Sequence, residues 1–142
     1  MKWITRERPK VDRIACPWLV QRFIDPDAEF LYVPRDDVMR VAAELDATPY
    51  DVPDVELGHH GEFCSFDAFL DRFQLTDPAL HKLARIVRGA DTGRLDLTSE
   101  SAGLYAIAIG LSRTFADDHE QLYCGMLMYD ALYAWCQHDA RT

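Results

Sequence analysis

The sequence predicts an α+β domain, predominantly helical, in which a short three-stranded βαβαβ unit is followed by four helices. Three observations point there. In the first third of the chain, short β-branched and aromatic runs alternate with a stretch of helical apolar spacing. Pro, Gly and Asp punctuate the joints between these runs. The second half carries helix caps followed by apolar residues at i, i+3 and i+4. A chain of 142 residues buries about 68–70% of its unfolded surface, so residues 1–142 are expected to form a single domain.

Each element has a local reason. Trp3–Arg6 alternates as a first strand. The chain turns into a helix around Pro17, giving Trp18–Ile24, and Asp25-Pro26-Asp27 ends it because a residue before proline leaves the helical region. Glu29–Val33 reads as a strand. In Asp36–Leu45, Val38, Val41, Ala42 and Leu45 recur at helical spacing, and Thr48–Val52 is the third strand. Ser65 is a cap for Phe66–Phe73, whose Phe66, Phe69, Leu70 and Phe73 share one face. Asp77 followed by Pro78 starts Pro78–Ala90. The remaining helices are Glu100–Phe115 and one opened by Asp117 that runs to about His138. This last helix is apolar nearly all round, which suits either the centre of a core or a subunit interface, so a homodimer is an open expectation.

Charge narrows the function classes. There are 15 Lys and Arg against 24 Asp and Glu, a net of −9, and such a surface repels phosphate backbones and anionic membranes. No apolar run approaches the ~20 residues of a membrane helix, and with no apolar stretch behind Met1–Arg8 a secretory signal is not expected. The cysteines Cys16, Cys64, Cys124 and Cys136 lack any Cys-x-x-Cys spacing and read as reduced thiols of a cytoplasmic protein.

Chemistry has three candidate places. Arg6, Arg8, Lys10, Arg13 and Arg22 crowd the N-terminal stretch. Guanidinium forks suit small oxyanions, and they equally suit local Asp and Glu partners. Cys16 precedes Pro17, whose cheapest place is a first helical turn. A thiol there feels the positive end of the helix dipole and nearby Arg13, which makes Cys16 the candidate reactive, catalytic cysteine; the plainer alternative is a small buried hydrophobe. The stretch GHHGEFCSFD offers His59, Cys64 and Asp67 as donors, with His119 or Glu120 as a distant fourth ligand, for a transition metal such as zinc. Without metal the same stretch is a turn and a helix cap. In the last helix, Asp130 needs a partner if buried, with Arg13 or Arg22 the available ones.

Four segments together, WITRERPKVDRIACPWLVQRFID, HHGEFCSFD, ESAGL and YDALYAW, resemble the ChrB-type chromate resistance family, and the likeness runs through nearly the whole chain as its C-terminal domain standing alone. The resemblance implies a role in bacterial chromate resistance, beside an efflux transporter and as a chromate-responsive regulator. Carried over by motif, it marks Trp3, Arg6, Arg8, Asp12, Arg13, Trp18, His59, Cys64, Asp67, Glu100 and Asp130 as positions of interest. The family's preceding N-terminal region is absent from this sequence, so nucleic acid is not expected as a partner. The expectation is a cytoplasmic accessory or sensor that binds chromate or a sulfate-like oxyanion through Arg6, Arg8, Arg13 and Arg22. The alternative is a thiol- or metal-dependent enzyme of oxyanion reduction or hydrolysis using Cys16, Cys64 and His59, and the third is a dimerising interaction module.

Overall fold

A computed structural model describes residues 1–141, with side chains described as far as His138. Strand β1 (Lys2–Arg6) is the middle of a three-stranded parallel sheet, flanked by β2 (Glu29–Val33) and β3 (Thr48–Pro49) in the order β2-β1-β3. Lys2 is in register with Glu29 and Arg6 with Val33 on one side, and Trp3 with Thr48 on the other. Side chains alternate across a strand. Trp3 therefore enters the main core with Phe30, while Ile4 enters a smaller core with Val38, Ala42 and Val52. Both faces of β1 are covered, as the middle strand of a parallel sheet requires. The expected strand at Thr48–Val52 is shortened because Asp51 adopts φ 52°, and its N–H turns away to the Leu57 carbonyl at 2.9 Å.

Two helices connect the strands. The first, α1 (Asp12–Phe23), starts well before the expected Trp18 and carries Pro17 inside it. Proline has no N–H for the carbonyl of Arg13, one turn back. That carbonyl instead accepts the Tyr32 hydroxyl at 2.7 Å, so a tertiary bond to β2 replaces the missing helical one. After a 3-10 turn at Arg35–Asp37, α2 (Val38–Leu45) covers the opposite face of the sheet.

Four helices follow: α3 (Ser65–Arg72), α4 (Pro78–Asp91), α5 (Ser101–Thr114) and α6 (Asp118–Arg141). The caps at Asp77 and Asp117 form as expected, with Asp77 Oδ1 accepting from Ala79 N at 2.8 Å and Asp117 Oδ1 from His119 N at 2.8 Å. Helix α3 is capped one residue earlier than expected, by Cys64 in place of Ser65. Helix α6 packs on α1 so closely that a Cβ at Gly125 would lie 2.4 Å from Ile14 Cγ2. Its Leu122, Met126, Tyr129 and Cys136 are buried, while Tyr123, Leu127 and Trp135 remain exposed. Central packing thus accounts for one face of this apolar helix. No helix among the described residues is long and apolar enough to cross a membrane.

Candidate functional site

Three loops leave the carboxyl edge of the sheet at one place. Arg6 ends β1, Arg35 lies just past β2 and Asp51 just past β3, and all three line a cleft of about 490 Å³. In open parallel sheets ligands bind at that edge, because the strand ends there face a crevice between diverging connections. The N-terminal turn of α1 adds Asp12 and Arg13, the end of α4 adds Asp91, and the loop before α3 adds His59.

The floor of the cleft is a mixed carboxylate and imidazole group. His59 Nε2 lies 2.9 Å from Asp91 Oδ2, 3.2 Å from Asp51 Oδ1 and 3.6 Å from Asp12 Oδ2. One donor atom from each of the four residues lies within 4.8 Å of every other. The carboxylates are held from behind. Asp12 Oδ2 accepts the Ser65 backbone N–H at 2.7 Å and Asp51 Oδ1 accepts the Ser65 hydroxyl at 2.7 Å, so the start of α3 anchors both. The Asp12 N–H in turn donates to Asp91 Oδ1 at 3.3 Å. Asp12 is 1% exposed, and its burial, with Asp91 beside it, raises its pKa well above the usual carboxylate range. Hydrogen bonding to Asp12, Asp51 and Asp91 pushes the His59 imidazole up to about 12. Asp91 is the last residue of α4, where the negative end of the helix dipole disfavours a carboxylate. Its carboxylate is held from outside its own helix, by the first N–H of α1 and by His59.

The rim is basic. Arg6, Lys10, Arg13 and Arg35 all line the cleft. Arg13 is fixed by the Arg6 and Glu7 carbonyls, which accept from Nη1 at 3.0 and 2.8 Å, and its Nε lies 3.5 Å from Asp51 Oδ2. Burial and the neighbouring Arg6 lower its pKa. Arg6 Nε is buried without a hydrogen-bond partner among the described residues.

The other sequence candidates lie elsewhere. Arg8 is committed to the α5–α6 junction, donating to the carbonyls of Ser112 (2.6 Å), Phe115 (3.1 Å) and Ala116 (2.8 Å) and to Asp118 Oδ1 (3.0 Å). Arg22 takes Asp130 in a fork at 2.9 and 2.9 Å, with Trp18 Nε1 donating to Asp130 Oδ1 at 2.8 Å, so the partner expected for Asp130 is Arg22. These two arginines close the fold in place of lining the cleft. Cys16 is not at the cap: α1 begins at Asp12, so the thiol sits a turn inside the helix, fully buried. Burial, then the charge of Asp12, pushes it up, the reverse of the expected lowering.

Cys64 and Asp67 do not join His59. Cys64 N donates to Asp67 Oδ2 at 3.1 Å as the cap of α3, and Arg88 holds Asp67 bidentately at 3.0 and 2.8 Å. Burial raises the Cys64 thiol far above its ordinary range. His119 is outside the His59 group, its ring edge-on to Tyr32 at 5.5 Å. The four expected ligands are therefore split, and only His59 belongs to the donor group. Glu100 is the N-cap residue of α5 and makes no side-chain cap bond, and Trp3 is core. Sequence reasoning named Asp12 only by resemblance and missed Asp51, Asp91 and Arg35. The available signal was their place directly after a strand or at the end of a helix.

A three-stranded parallel sheet followed by four helices, with a carboxylate–imidazole floor and a basic rim at the carboxyl edge of the sheet, defines an α+β domain that is predominantly helical. The chain belongs to the family of the ChrB C-terminal domain, whose model matches residues 3–136. It is 33% identical over 133 residues to Protein ChrB of Cupriavidus metallidurans (strain ATCC 43123 / DSM 2839 / NBRC 102507 / CH34), an alignment covering 93% of this chain and 40% of that protein. The chain thus spans well under half the length of this relative. No solved structure matches it.

Proposed function

We propose that this domain serves bacterial chromate resistance in the cytoplasm, as an accessory or sensor that binds a small oxyanion in the cleft at the carboxyl edge of the sheet. One observation carries the reading. In a molecule of net charge −9, Arg6, Lys10, Arg13 and Arg35 line a single cleft, and Arg6, Lys10 and Arg35 have no carboxylate partner within 4.0 Å among the described residues. Cations crowded together without partners repel one another, and an anionic ligand relieves that cost. Guanidinium groups are suited to tetrahedral oxyanions by their planar forks. Of the four arginines expected to bind the oxyanion, Arg6 and Arg13 line the cleft, and Lys10 and Arg35 stand there in place of Arg8 and Arg22. A second reading, a metal-dependent enzyme, is favoured by the Asp12, Asp51, His59 and Asp91 group.

Calorimetric titration with sulfate and chromate tests the first reading. Loss of one charge-assisted contact is worth about 1.5–3 kcal/mol, so Arg6→Ala is expected to weaken binding roughly tenfold or more. Arg22→Ala is expected to leave it unchanged. Unaltered affinity in both Arg6→Ala and Arg13→Ala overturns the reading.

A further inference from the structure

The cleft presents two opposite charges to whatever enters it. Three carboxylates, two of them more than nine-tenths buried, share the floor with one imidazole, and four cationic side chains share the rim. An anion bound alone faces the carboxylates, and a cation bound alone faces the guanidinium and ammonium groups. A cation and an anion bound together satisfy both surfaces, each screening the other from its like-charged neighbours. A second observation points to the anion independently of the acidic floor: the Arg6 side chain lines this cleft with a buried Nε that no described residue accepts from.

The floor has the dimensions of a cation site. Opposite ligands of a divalent ion held at about 2.1–2.2 Å lie about 4.4 Å apart. The four donor atoms here span at most 4.8 Å, so a contraction of a few tenths of an ångström brings all four onto one ion. Three carboxylate oxygens and one imidazole nitrogen suit a divalent ion of intermediate hardness, such as manganese, iron or zinc. The Ser65 backbone N–H and hydroxyl hold Asp12 and Asp51 from behind at 2.7 Å each, in the manner of an outer shell that orients metal ligands.

We infer that the cleft binds a divalent cation and a small oxyanion as a linked pair, the cation on Asp12, Asp51, His59 and Asp91 and the anion between that cation and the basic rim. The anion rests on the reading proposed above and the cation on the same four-residue group that favours the second reading; their linkage in one cleft is new. Linkage is reciprocal: whatever factor the cation adds to anion affinity, the anion adds to cation affinity.

The test uses the full chain with Mn²⁺ and sulfate as probes. Free Mn²⁺ is read by its electron paramagnetic resonance signal and sulfate by calorimetry, each with and without the other at saturation. One Mn²⁺ per chain is expected, with its Kd lowered at least about fivefold by sulfate, the low end of ordinary coupling, and the sulfate Kd lowered by the same factor by Mn²⁺. Asp91→Asn and His59→Gln are expected to weaken Mn²⁺ binding by about 10-fold or more, at least the cost of losing a group that merely orients a metal ligand, with the far-ultraviolet circular dichroism spectrum unchanged. Asp12 is avoided because it also anchors Ser65. Sulfate binding that Mn²⁺ leaves unchanged overturns the linked pair and leaves the oxyanion reading standing. Mn²⁺ binding that is indifferent to both substitutions also overturns the inference. Absence of sulfate binding at every Mn²⁺ concentration overturns the inference and the oxyanion reading together.

Discussion

One loop, residues 54–64, serves two sites of opposite character. On one side His59 points among Asp12, Asp51 and Asp91 in a cleft whose rim is partly unpaired. On the other side, Cys64 caps α3 through Asp67, and Arg88 closes on Asp67 with both oxygens engaged and its guanidinium 4.8 Å over the Phe63 ring. Both sides contain acids, bases and a potential metal donor. The difference is satisfaction: every charged group in the Cys64 network has a complement within it, whereas the His59 cleft holds surplus charge of both signs. Donor residues close in sequence therefore say little about a site. A charge left over after internal pairing says more.

That contrast can be broken by substitution, and the largest expected effect is on the closed side. Arg88 and Asp67 are largely buried, with side chains 17% and 13% exposed. Breaking such a pair strands a buried charge at about 3–5 kcal/mol. Arg88→Ala is expected to lose roughly 3 kcal/mol in urea unfolding while sulfate affinity in the folded fraction is kept. Loss of anion binding without loss of stability would reverse the assignment of the two sides. Next comes Gly125→Ala, where a methyl group meets Ile14 Cγ2 at 2.4 Å. Overpacking of this kind costs about 1–3 kcal/mol, and the readout is a lower urea midpoint with an unchanged slope. This measures the α1–α6 contact that holds Asp12 beneath the cleft.

On the open side the expectation is the inverse. Asp91 is a helix-terminal acid disfavoured by the dipole, so Asp91→Asn is expected to change stability by less than about 1 kcal/mol while altering ligand binding. Stability lost as heavily as in Arg88→Ala would make the cleft a structural network like its neighbour. The thiols separate the sides less strongly. Cys16 and Cys64 are fully buried and their pKa values lie above the ordinary thiol range, whereas Cys124 is partly exposed. Iodoacetamide at neutral pH is expected to label Cys124 first, and early labelling of Cys16 would contradict its place inside α1. The smallest effect belongs to Arg22 and Asp130, a surface pair with side chains 37% and 42% exposed. Arg22→Ala is expected to cost under about 1 kcal/mol. Arg22 depresses the Asp130 pKa, so the pair's contribution is present at neutral pH and fades as pH falls through the folded value. The variant should lose that acid-side dependence.

Much of the fold was legible because its signals are local. Alternation in Trp3–Arg6 and Glu29–Val33, the Asp77-Pro78 cap and the apolar spacing of α3 are written within a few residues, and each element forms close to its expected bounds. Pro17 misled because a tertiary group, the Tyr32 hydroxyl, compensates the bond it removes. Locally, Asp51 reads as part of a strand and Asp91 as helix punctuation, since nothing near either residue in sequence marks it as part of a site. Their partnership with Asp12 and His59 exists only once β1, β3, α1 and α4 have packed. The basic N-terminal stretch was legible as a cluster, but its division was not: Arg6 and Arg13 face the cleft, and Arg8 and Arg22 serve the helices.

The central claim is that an oxyanion sits in the cleft at the carboxyl edge of the sheet. Crystals of the full chain soaked with selenate, a sulfate-shaped anion with an anomalous scatterer, test it most directly. The account predicts a strong anomalous peak among Arg6, Lys10, Arg13 and Arg35. A cleft without a peak in crystals that carry well-occupied selenate elsewhere, such as at Arg8 or Arg22, would contradict it.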